Sequence, residues 1–205
     1  MSRRSFGTWL AATAILVLLQ SIAHLVATGP YGELDSIVDL DRSNGIPDVV
    51  STIVIAVAAV GAVTVAWRRQ GWERVSAFLL VTCLGVIAAD DVVGVDRDFT
   101  AAATLTVTGF AIFAVAALAA ADGKAGIRPA VTIAAGLVAL VATLVVGQLP
   151  ELAPWFERAR GDEIIELQII AKQGLELAGW GLVTLGLWDR ARAGEMETLG
   201  RAHST

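Results

Sequence analysis

Apolar residues fill six blocks along the chain, at 7–28, 49–67, 75–95, 100–121, 129–149 and 166–188, with short polar breaks between them. The blocks are apolar all round, so no face of a helix is set aside for water. Each is close to the roughly 20 residues that an α-helix needs to cross a hydrocarbon core about 30 Å thick. The pattern predicts an all-α, polytopic membrane protein: a bundle of six transmembrane helices. A single domain is expected over residues 1–190, with a short tail at 191–205. Because the connections are short, each helix should turn straight back beside its neighbour. Pro129 is expected at the start of the fifth helix and Pro150 at its end, since proline suits a first turn and cannot continue a helix.

Composition agrees with this pattern. Hydrophobic residues make up 56% of the chain and charged residues only 17%, and mean hydropathy is +0.68. A soluble domain usually carries about a quarter charged residues. The single cysteine, Cys83, rules out an internal disulfide and a cysteine-based metal site. Only His24 and His203 offer imidazole. A net charge of −5 argues against nucleic acid as a partner. The opening Ser-Arg-Arg-Ser-Phe is similar to a twin-arginine export signal. The apolar stretch behind it, however, exceeds the 7–15 residues or so of a signal core. With five more blocks following, it reads as an uncleaved first helix.

Orientation follows from the lysines and arginines of the short connections. Arg3, Arg4, Arg68, Arg69, Arg74, Lys124, Arg128, Arg190, Arg192 and Arg201 fall on one side, against Arg42, Arg97, Arg158 and Arg160 on the other, with Lys172 inside a block. Both termini are therefore expected in the cytoplasm of a prokaryotic cell, the protein residing in its plasma membrane. The opposite face is acidic. Glu33, Asp35, Asp39, Asp41 and Asp48 lie in its first loop, Asp90, Asp91, Asp96 and Asp98 in its second, and Glu151, Glu157, Asp162, Glu163 and Glu166 in or beside its third.

Ionisable groups inside a span mark function by default. At about 1.5 Å per residue, His24 stands about 25 Å above Gly7, near the outer boundary. Asp90 reaches a similar height in the third span, and Glu166 enters the sixth from that side. His24, Asp90, Asp91 and Glu166 could thus share one layer. Asp90 and Asp91 are adjacent, about 100° apart around a helix, so at most one looks straight into the bundle. Deeper in, Lys172 and Glu176 are four residues apart on one helix face and can pair, with Gln173 close by. Gly179, Gly181 and Gly186 leave room for a neighbouring helix, and the small residues Ala56, Ala59 and Gly61 of the second span and Ala114, Ala117 and Ala121 of the fourth would serve close packing within or between chains.

Three stretches, "DLDRSNGIPDVVST" (39–52), "DDVVGVDR" (90–97) and "KQGLELAG" (172–179), together resemble an uncharacterised family of six-span membrane proteins from bacteria and archaea. Leu40, Asp41, Pro47 and Ser51 fit its first segment. Asp90 and Asp91 fit the acidic pair of the second, where Asp96 and Arg97 replace His-Glu. Glu176 and Gly179 fit the third, where Lys172 and Gln173 replace acids. The resemblance implies the six-span architecture and brings no activity. The departures imply either that this member has lost a site or that the site was never a strict metal centre.

The first functional reading is a multi-pass integral membrane protein acting as a structural or accessory subunit. Its partners would be the lipid bilayer and a second copy or another membrane protein. An alternative is a cation- or proton-linked transporter or sensor, using the acidic outer face with Asp90, Asp91, His24, Glu166, Gln173, Glu176 and Lys172. A third is an intramembrane metal-dependent hydrolase, which needs several ligands at one depth and finds one usable histidine. No metal or cofactor is called for, and the enzyme reading is the least favoured.

Overall fold

The computed structural model describes residues 3–27, 46–93, 97–147 and 162–202. They form six α-helices: α1 (Arg3–Ala27), α2 (Ile46–Arg68), α3 (Gly71–Val93), α4 (Arg97–Asp122), α5 (Lys124–Gly147) and α6 (Asp162–Ala202). Among the described residues there is no strand. Four segments, Val49–Arg68, Gly71–Ala89, Leu105–Asp122 and Lys124–Gly147, are long and apolar enough to cross a membrane. The surface supports the same conclusion. Ile53, Val60, Val75, Phe113, Val131 and Val138, among others, are exposed on the outside of the bundle. Such a surface suits lipid and would be a liability in water.

The helices form a closed circuit. α2 packs on α3, α3 on α4, α4 on α5 and α5 on α6, and α6 returns to α2. α1 stands outside this ring and packs chiefly on α6. The core inside is made of small and aliphatic side chains, with Ala58, Ala62 and Ala66 from α2, Ala77 and Leu80 from α3, and Ala111, Ala114 and Leu118 from α4. Of the small-residue face expected on α2, Gly61 is buried inside the bundle. Ala56 and Ala59 point outward, and the buried stripe lies two or three residues further on. Periodicity gives a helix no rotational reference when all its faces are apolar.

The α5–α6 contact is the closest, and glycine makes it so. A Cβ at Gly136 would stand 2.6 Å from the Gly179 carbonyl oxygen and 2.8 Å from Val183 N. One at Gly186 would lie 2.8 Å from the Pro129 carbonyl oxygen. The two backbones touch where side chains would hold them apart, which is how apolar helices gain dispersion contact without a hydrophobic driving force. Gly181 does a milder version of this towards α1, with Thr13 at ordinary contact distance.

Two boundaries differ from expectation. α5 begins at Lys124, so Pro129 lies inside the helix rather than at its start. Gly123, at φ +58°, adopts a left-handed conformation that other residues enter with difficulty. It reverses the chain in one residue, so α5 starts five residues before its proline. Gly71, at φ +57°, does the same for the α2–α3 turn. The second difference is α6, whose 41 residues run unbroken to Ala202. At about 1.5 Å per residue it is about 60 Å long, twice a bilayer core, so the stretch after Trp188 continues the helix beyond the apolar block.

Candidate functional site: a charge cluster at one end of the bundle

Both tight turns lie at the same end of the ring, and charged residues gather there. Arg69 follows α2, Glu73 is in the first turn of α3, Asp122 ends α4 and Arg190 lies on α6. Arg69 grips Asp122 with both arms of its guanidinium, Nη1 donating to Oδ1 at 2.5 Å and Nη2 to Oδ2 at 3.0 Å. Its Nη1 also donates to Glu73 Oε2 at 2.9 Å. Arg190 Nη2 approaches Asp122 Oδ2 at 2.6 Å. One carboxylate therefore serves two guanidiniums, arriving from the α2–α3 turn and from α6.

Burial raises the stakes. Side-chain exposure is 1% at Arg190, 14% at Arg69 and 15% at Asp122, rising to 40% only at Glu73. Arg190 Nε, Nη1 and Nη2 have no aligned hydrogen-bond partner. Its contact with Asp122 is a close ion contact without the angle of a hydrogen bond. Burial pulls the Arg190 pKa down from its ordinary value to about 10, against the attraction of Asp122; Arg190 is thus a cation at neutral pH. At Arg69 burial also lowers the pKa, but the hydrogen bonds and charges of Asp122 and Glu73 outweigh it and hold the group above its ordinary value.

The neighbouring seam between α6 and α2 adds polar fixings. Arg68 Nη1 donates to the Ala191 carbonyl at 2.8 Å. Trp188 Nε1 donates to the Val57 carbonyl at 3.3 Å, its ring lying over Gly61. The Thr184 hydroxyl reaches across the seam to the Val54 carbonyl at 3.4 Å, and also donates to the Trp180 carbonyl within α6 at 2.8 Å. Chemically, this end of the bundle is a set of ties between helices.

The residues singled out from sequence lie towards the other end. The α2–α3 turn and Arg190 fix the charged end, so α3 finishes, and α6 begins, at the opposite one. α1 runs antiparallel to α6, since Val17 meets Gly174 and Thr13 meets Gly181. The helix ends that carry His24, Asp90 with Asp91, and Glu166 are thus brought to one end, although the side chains of these four lie outside the described residues. So do the acidic loops at 28–45, 94–96 and 148–161, and His203. Lys172 is exposed, and a Cβ at Gly147 would sit 3.9 Å from its Cδ and Cε, which places its stem over the end of α5. Gln173 and Glu176 are half-buried, and each has an interaction partner. Among the described residues, no group of three or more His, Cys, Asp and Glu could hold a metal ion.

A separate feature lies between α1 and α6. A cleft of about 430 Å³, open at the side, is lined by Thr13, Val17, Ser21, Gly174, Ala178 and Leu182 among others. The Ser21 hydroxyl is turned back onto the Val17 carbonyl at 2.8 Å, which leaves the cleft apolar.

Sequence reasoning counted Arg69 and Arg190 only as orienting charges and passed over Asp122 and Glu73. The signal was present: an aspartate at the end of an apolar block, on the side otherwise rich in arginine. Comparison with known families, with proteins of described function and with solved structures finds no match, so the functional reading rests on this chain's own geometry.

Proposed function

We propose that the protein is a six-span integral membrane protein with both termini in the cytoplasm, acting as a structural or accessory membrane subunit. The observation that carries this reading is the Arg69–Asp122–Arg190 cluster. The paired charges it gathers from three parts of the chain tie the ends of α2, α3 and α4 to α6. All ten orienting cations would then lie on the cluster's side. α1, held chiefly by α6, leaves a lateral cleft within reach of other membrane components. The reading predicts a stable complex, with a second copy or another membrane protein, after extraction in a mild detergent. A monodisperse monomer that co-purifies with nothing would count against it.

Half-buried Gln173 and Glu176 favour a second reading, cation- or proton-linked transport, because an acid at this depth is costly unless used. Proteoliposome flux that falls in Glu176→Gln would support it, and equal flux in the variant would remove Glu176 from that role.

A further inference from the structure

We infer that the α2–α3 turn and the adjoining outer face of α3 form a docking surface for the headgroups of anionic phospholipids. The inference rests on the membrane reading above and deepens it. Trp67 and Trp72 flank the turn and are 75% and 72% exposed, whereas Trp180 is buried. Tryptophans placed so belong at the headgroup level. Arg74 is exposed on the same face, its guanidinium carbon 5.7 Å from the centroid of the Phe78 ring. Val75 and Phe78 beside it are themselves exposed and apolar. The cation is thus spread along a surface that faces lipid, its stem on apolar ground and its charge at the boundary.

Such a charge needs an anion, and the nearby acids are engaged. Glu73 and Asp122 are both bonded to Arg69, and Asp122 also faces Arg190. Lys124, at the start of α5, is exposed and follows the Gly123 turn directly after Asp122. The buried cluster absorbs the carboxylates of this end and leaves Arg74 and Lys124 on its rim. A phosphodiester supplies the missing charge, and its acyl chains would lie along α3 beside Val75 and Phe78. A net-neutral headgroup supplies less, because its own ammonium competes.

The test uses the intact chain in nanodiscs of phosphatidylcholine alone or of equal parts phosphatidylcholine and phosphatidylglycerol. Native mass spectrometry then counts the lipids retained. The expected result is preferential retention of phosphatidylglycerol, falling about fivefold for each cation removed in Arg74→Gln and Lys124→Gln. Lys124→Gln is the safer variant, since Arg74 also packs on the Phe78 ring. Equal retention of both lipids by the wild type would overturn the inference. So would a preference unchanged in both variants, or one abolished by millimolar inorganic phosphate, which would indicate a free-anion site. A chain that stays in the bilayer after an alkaline wash but ignores phosphatidylglycerol defeats this inference alone. A chain that washes off defeats the membrane reading.

Discussion

Replacing Asp122 by asparagine keeps the size of the side chain and removes the charge that two guanidiniums share. Arg69 retains Glu73, at 2.9 Å. Among the described residues Arg190, 1% exposed, retains no carboxylate at contact distance. Removing one partner of a buried ion pair costs about 3–5 kcal/mol, because the other charge stays buried and uncompensated. With Arg69 still held, the lower end applies, about 3 kcal/mol. For a chain of this length that is a fall of about 6–12 °C in unfolding temperature. The chain carries its own probe: Cys83 is its only cysteine and is buried in α3. A thiol-reactive fluorophore therefore reads opening of the ring as the detergent-solubilised protein is heated. Adding Arg190→Met to Asp122→Asn should recover much of the loss, since the stranded charge is then gone. An Asp122→Asn protein as stable as wild type, or a double variant that falls by the sum of the two single losses, would refute the view of Asp122 as the shared counter-ion.

Other outcomes follow from the same geometry. Glu73→Gln should cost less than about 1 kcal/mol in the same thermal assay, because its carboxylate is 40% exposed and screened by solvent. Gly186→Ala should destabilise by about 1–3 kcal/mol, since the new Cβ meets the backbone of Pro129, whereas Gly181→Ala, facing Thr13 at ordinary contact, should change the unfolding temperature little. Arg190, whose folded pKa burial lowers to about 10, below the ordinary arginine value it regains on unfolding, is charged in both states at pH 7–9 and adds little slope there. Above about pH 10 the folded state loses this proton first, so the group then favours folding as pH rises. The stability difference between wild type and Arg190→Met should accordingly be flat from pH 7 to 9 and shift towards wild type beyond pH 10.

The parts of the fold that hydropathy can encode were legible in the chain: helices in the right order, two tight turns on the arginine-rich side, and glycines at 179 and 186 that admit a neighbour. What it could not encode was rotation and partnership. Ala58 and Ala62 face the core while Ala56 and Ala59 face outward, a choice the sequence leaves open because α2 is apolar on every side. The contact of Arg69 with Asp122 joins residues 53 apart in sequence, and no periodicity links them. Pro129 misled because the left-handed Gly123 lets a helix begin at once. The expected outer layer was legible only as helix ends: His24, Asp90, Asp91 and Glu166 share one end of the bundle, opposite the charged cluster.

The charged cluster should face the cytoplasm of a membrane-spanning bundle, and thiol labelling of intact cells decides this most directly. In a Cys83→Ala background, one cysteine is placed at Gln70, exposed in the α2–α3 turn, and another, in a separate variant, at Asp96 in the acidic second loop. With a membrane-impermeant maleimide, Asp96→Cys should react in intact cells and Gln70→Cys only after lysis. Labelling of Gln70→Cys in intact cells, or recovery of the protein in the soluble fraction, would contradict it.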